Sequence, residues 1–137
     1  MARLRQRFAR VVLWEGHSIR SELPFLFEGR LPDLSLGTAS GASCSPVLQT
    51  RLEAVLGDQT HYSHVVNDRF KGGYITRHYG QPQQGIDAVQ LELAQTTYMD
   101  ESTTDYLPER AQRLQREVLR PLLEAVLSSP AHGQPDR

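Results

Sequence analysis

Apolar and polar positions group into short blocks whose spacing changes along the chain. Leu4 and Phe8, four residues apart among Arg3, Arg5, Arg7 and Arg10, share one helical face and read as the last turns of a helix. Val11-Val12-Leu13-Trp14 is a continuous apolar run rich in β-branched residues. Such continuity predicts a strand near 11–15 that is covered on both faces, as in a parallel α/β sheet. Glu15-Gly16-His17-Ser18 then falls at the strand's C-terminal end. Residues 20–44 hold Pro24, Pro32, Gly29, Gly37 and Gly41 and predict a long irregular connection.

Ser45-Pro46 is a helix start, with Ser as N-cap and Pro at the first helical position. Leu48, Leu52, Val55 and Leu56 supply the stripe of a helix near 45–56, and Gly57 is its natural stop. A second strand is predicted near 62–67, followed by loop to Gly85. Residues 87–94 alternate with period two and form the third strand, with Glu92 among Val89, Leu91 and Leu93. A final helix near 108–127 carries Ala111, Leu114, Val118, Leu122 and Val126 on one stripe, and Pro121 inside it predicts a bend. The polar residues 128–137 read as a frayed tail. Strands alternating with helices predict an α/β fold, and so thin a sheet reads as part of a larger α/β domain.

Composition narrows the function classes. The chain has 137 residues, 39% hydrophobic and 23% charged, which suits one globular domain. Fifteen Lys and Arg against 16 Asp and Glu leave a net charge of -1. That balance gives no footprint for nucleic acid or an anionic membrane, so the N-terminal arginines read as a solvated helix face. A single cysteine, Cys44, excludes an internal disulfide and Cys-rich zinc frameworks and suits a reducing cytoplasm. No apolar run approaches the roughly 20 residues that span a bilayer.

Three clusters can carry chemistry. His17 fits a metal ligand, a general base or a packed histidine. Glu92 fits a structural ion-pair partner or, set among apolar neighbours and expected to be desolvated, a carboxyl whose raised pKa is useful in acid-base work. Arg69-Phe-Lys71-Gly-Gly-Tyr-Ile-Thr-Arg77-His78 gathers three cations around Gly-Gly, and guanidinium forks suit carboxylates, so the segment fits either a site for a small anionic substrate or a solvated basic loop. Cys44 precedes the predicted N-cap but reads as a small packed residue rather than a nucleophile. Gly37-Thr-Ala-Ser-Gly41 lacks the Lys of a phosphate loop.

Taken in order, Trp14-Glu-Gly-His17-Ser-Ile-Arg-Ser21, Leu31-Pro-Asp-Leu-Ser-Leu-Gly-Thr38, Asn67-Asp-Arg-Phe-Lys-Gly-Gly-Tyr-Ile-Thr-Arg-His-Tyr-Gly80 and Ala88-Val-Gln-Leu-Glu-Leu-Ala-Gln95, followed by Tyr98-Met-Asp-Glu101, resemble the N-formylglutamate amidohydrolase (deformylase) family. The resemblance runs from about Leu13 through the final helix. It implies a zinc-carboxypeptidase-like mixed sheet flanked by helices. It also implies zinc-dependent hydrolysis of N-formyl-L-glutamate to formate and L-glutamate, in histidine degradation in the cytoplasm.

Carried over by position, the resemblance makes His17 a Zn2+ ligand and Glu92 the catalytic carboxylate. It offers Arg69, Lys71, Arg77 and Arg20 for the substrate's carboxylates. Glu15, Ser35, Asp68 and Asp87 stand where the family often has Asp, Asn, Gly and His, and Asp68 and Asp87 add negative charge beside the loop and the catalytic strand. The family's domain is about twice this length. The chain is therefore expected to be its C-terminal half, with the remaining zinc ligands elsewhere and little activity on its own. The alternatives are an amidohydrolase for another acyl amino acid, such as succinylglutamate, and a metal-free remnant or interaction fragment.

Overall fold

The computed structural model describes residues 1–129, and the predicted tail beyond Ser129 lies outside them. A short helix α1 (Ala2–Arg5) leads into strand β1 (Val11–Ile19). Strand β2 (Leu34–Gly37), helix α2 (Pro46–Asp58), strand β3 (His64–Val66), helix α3 (Tyr74–Tyr79) and strand β4 (Ile86–Ala94) follow. The last described elements form one helical run, α4 (Pro108–Leu114), a π turn over Gln115–Leu119 and α5 (Arg120–Ser128).

The strands form one mixed sheet in the order β1-β4-β2-β3. β1 runs parallel to β4 with His17 opposite Glu92, and β2 runs antiparallel to β4 with Ser35 opposite Glu92. β3 is parallel to β2. Because side chains alternate across a sheet, this register divides the residues into two faces. Val89 and Leu91 of β4 with Leu34 and Leu36 of β2 form an apolar face. It packs on Leu48, Leu52 and Leu56 of α2 and on Leu114, Val118 and Leu122 of the C-terminal run. Leu34, Leu36, Leu48, Leu52, Leu56 and Leu122 are fully buried, each worth about 1.5–3 kcal/mol. The opposite face carries Glu15, His17, Gln90, Glu92, Ser35 and Gly37.

Local signals placed α2 and the C-terminal run well. The Ser45 side chain accepts the Leu48 N–H and Pro46 opens the helix, which continues through Gly57 to Asp58. Pro121 does not divide the final run. The π turn just before it has the Arg120 N–H donating to the Gln115 carbonyl, a local widening that takes up the misfit a proline brings to a helical ladder.

Several expectations change. β1 extends to Ile19, so His17 and Ser18 lie within the strand and not beyond it. It is also an edge strand among the described residues, and of its residues only Val11 is buried. β4 is the strand covered on both faces, although its sequence alternates, because it lies between two neighbours and has an element packed over each face.

β2 and α3 lie in segments expected to be irregular. Asp87 is another change. Five residues from Glu92, it points to the other face, fully buried, where Arg10 Nε lies 3.2 Å from its Oδ2 and the Ser45 N–H donates to its Oδ1 at 2.7 Å. Arg10 is therefore no solvated helix-face residue: its Nη1 also donates to the carbonyls of Val126 and Ser129 at the end of α5. Ser128 closes α5 and Ser129 is buried, so the start of the expected tail is ordered.

Candidate active site

The polar face of the sheet is roofed by residues 67–73 and α3. Close passage of this roof over β2 requires Gly37: a Cβ there would lie 2.6 Å from Gly72 N and 2.8 Å from the Phe70 carbonyl oxygen. Gly72 has φ +112, a conformation open to glycine. The Ala39 N–H donates to the Lys71 carbonyl at 2.6 Å. Asn67 Oδ1 accepts from the backbone of Thr38 and Ser40, so Asn67 pins the roof to the segment after β2.

Two side chains beneath the roof tie it to the strands. Gln90 Oε1 accepts the Gly73 N–H at 2.8 Å, and its Nε2 donates to Glu92 Oε2 at 3.5 Å, the long end of a hydrogen bond. The Thr76 hydroxyl donates to Glu15 Oε2 at 2.6 Å, and Glu15 Oε1 lies 2.9 Å from His17 Nε2. Glu15, His17, Gln90 and Glu92 thus share one face across two parallel strands.

Electrostatics separates the two carboxylates. Burial pushes the Glu92 carboxyl above the usual carboxylate range, Glu15 adds to the rise, and His17 opposes it. Glu92 is 8% exposed. Burial also acts upward on Glu15, but hydrogen bonds from Thr76 and His17 outweigh it and hold that carboxyl below the usual range. Neighbouring carboxylates pushed in opposite directions suit one to exchange a proton and the other to stay ionised. Cys44, buried behind the sheet, has its thiol pushed up to about 12 by burial, which removes it as a nucleophile.

His17 and Glu92 are brought together, on neighbouring strands. The expected anion-binding cations have positions of their own. Arg77 Nη1 donates to the Gly72 carbonyl at 2.6 Å and braces the roof. Arg69 lies over the Phe27 ring, 5.0 Å from its centroid. Lys71 is exposed on the roof. Arg20 Nη2 donates to the Glu101 carbonyl at 2.9 Å, beyond the end of β1. Gln90 and Thr76 were not singled out from the sequence. Gln90 had a signal, two residues before Glu92 in a strand and so on its face; Thr76 had none.

The same donors bear on metal ligation. Among the described residues no group of three or more His, Cys, Asp or Glu side chains converges to hold an ion. Catalytic zinc takes about three protein ligands, and His17 contributes one imidazole, already hydrogen-bonded through Nε2. These residues by themselves do not fit a zinc ion.

Comparison with known proteins gives a consistent set of matches. A family model described as N-formylglutamate amidohydrolase matches residues 1–99. An N-formylglutamate deformylase of Pseudomonas aeruginosa is 56% identical over 128 residues, covering 93% of this chain and 48% of that protein. The enzyme of the same name from Pseudomonas putida is 55% identical over 126 residues, 92% of this chain and 47% of that protein. The crystal structure of N-formylglutamate amidohydrolase from Ralstonia eutropha JMP134 superposes with a TM-score of 0.75 at 29% identity, covering 89% of this chain and 45% of that one. The chain thus spans about half the length of the relatives it matches.

Proposed function

Because the chain belongs to the N-formylglutamate amidohydrolase family, we propose that the whole protein hydrolyses N-formyl-L-glutamate to formate and L-glutamate, and that Glu92 moves the proton. Water adds to the formyl carbon, the C–N bond breaks, and the water's proton ends on the leaving amine. Glu92 accepts that proton and then delivers it. The observation that carries this reading is the placement of Glu92: nearly buried, held upward by desolvation, and opposite His17 on a polar face of the sheet. A carboxylate of raised basicity takes a proton from water more readily than an exposed one, and in its acid form it is a competent donor.

Arg69, Lys71 and Arg77, on or beside the roof, are proposed to meet the substrate's two carboxylates, and Arg20 to assist from the strand end. His17 is proposed as one zinc ligand in the whole protein, the metal's usual contribution being to polarise a carbonyl. The described residues do not complete its ligand set. On the strength of the sequence resemblance alone, the reading extends to a carboxypeptidase-like relationship and a role in histidine degradation in the cytoplasm.

The experiment is Glu92→Gln in the whole protein, with formate release followed against substrate concentration. The expected result is a kcat reduced about 10²–10⁴-fold, the range for losing a general acid-base group, with KM little changed. Turnover within a few-fold of the parent removes Glu92 from the role.

A further inference from the structure

Thr76 is fully buried, yet every other residue of α3 is exposed, Tyr74 at 67% and Ile75 at 43%. A helix so placed gains little from apolar burial. Its one inward side chain is a hydroxyl where Val would fill the same space, and that hydroxyl goes to Glu15. An ionised carboxylate can only accept hydrogen bonds. Thr76 must therefore be the donor to Oε2, and the contact between His17 Nε2 and Oε1 requires the proton on Nε2. In the neutral ring the lone pair is then on Nδ1. The arrangement fixes an imidazole whose side chain is otherwise 46% exposed, by way of a carboxylate that is only 13% exposed.

We propose that Thr76 and Glu15 are positioning residues for His17, holding Nε2 as a donor so that Nδ1 is the nitrogen offered to the site. A ring nitrogen fixed by a carboxylate keeps one tautomer and one orientation, the usual way in which a functional histidine is prepared. The roof residue Gly72 packs against the same threonine, since a Cβ on Gly72 would lie 2.8 Å from Thr76 Cγ2. A shift of the roof therefore reaches His17 through Thr76 and Glu15. The consequence for catalysis rests on the role given to His17 above; the tautomer does not.

The test is imidazole 15N NMR on the chain labelled at histidine, at about pH 8, above the usual histidine pKa of roughly 6.5. His17 is expected to carry its proton on Nε2, with that proton slow to exchange. Thr76→Val, which keeps the shape and removes the hydroxyl, should speed its exchange about tenfold, the scale of one hydrogen bond to a charged group. Thr76→Ser should restore the slow rate. A purely structural threonine would leave the exchange unchanged in a folded Thr76→Val protein, and that result overturns the proposal. A parent chain with His17 protonated on Nδ1 overturns it whether or not the variants fold. These readouts need no turnover, so a whole protein without formate release counts against the proposed reaction and leaves the tautomer result standing.

Discussion

Replacing Arg10 with Met tests whether the sheet's apolar side depends on a single, partly buried cation. The guanidinium meets Asp87, which is fully buried, and donates to two carbonyls at the end of α5. Removing one partner of a buried pair costs about 3–5 kcal/mol, because the other charge is left uncompensated. Two features reduce that figure. Asp87 keeps the Ser45 N–H, and the substitution also disposes of Arg10 Nη2, which is buried without a hydrogen-bond partner among the described residues, a penalty of about 1–3 kcal/mol. The lost donors to Val126 and Ser129 act the other way, at about 1 kcal/mol each.

The balance is a loss of about 3 kcal/mol, a large share of the roughly 5–15 kcal/mol that holds a domain folded. Urea unfolding followed by Trp14, the chain's one tryptophan and a half-buried contact of the core, measures it. Asp87→Asn in the Arg10→Met background should recover part of the loss, since the buried charge that Arg10 faced is then gone. An Arg10→Met protein within about 1 kcal/mol of the parent would show that the pair contributes nothing net, and the reasoning fails.

Glu92→Gln should stabilise the fold at neutral pH and lose that advantage in acid. A carboxyl whose folded pKa is raised contributes stability that is present below its unfolded pKa and lost as pH rises through the folded value; thermal unfolding at neutral pH and near pH 4 checks the sign, and equal shifts at both would contradict it. Cys44, raised from 9.0 to about 12, should be alkylated about a thousandfold more slowly in the native chain than in urea. Fast native labelling by iodoacetamide would disprove its burial. Gly37→Ala places a methyl against the backbone of 70–72 and should destabilise by about 1–3 kcal/mol, read as a Tm several degrees lower. An unchanged Tm would mean that the roof does not pass so close to β2.

Elements governed by neighbours a few residues away were legible in the chain alone. Ser45 and Pro46 start α2 through a cap and a preset φ, and the leucines that follow at helical spacing mark its buried side. The same holds for the stripe of the C-terminal run and for a carboxylate at Glu92 inside a strand. The motifs around His17 and Glu92 also pointed to the family, and the register of β1 with β4 sets those two residues opposite each other.

Tertiary structure decided what depends on distant partners. β2 has four residues ending in glycine, too few to show a period, and exists because Leu34 and Leu36 fill the apolar face beside β4. Asp87 and Glu92 look alike as acids in one strand, but the pleat sends one to Arg10, 77 residues away, and the other to the polar face. Thr76 reaches Glu15 across 61 residues from a helix that carries no apolar stripe. Periodicity records only which side of an element is buried. Which polar group waits there is set by strand order and register, and those come from pairing between segments far apart in sequence.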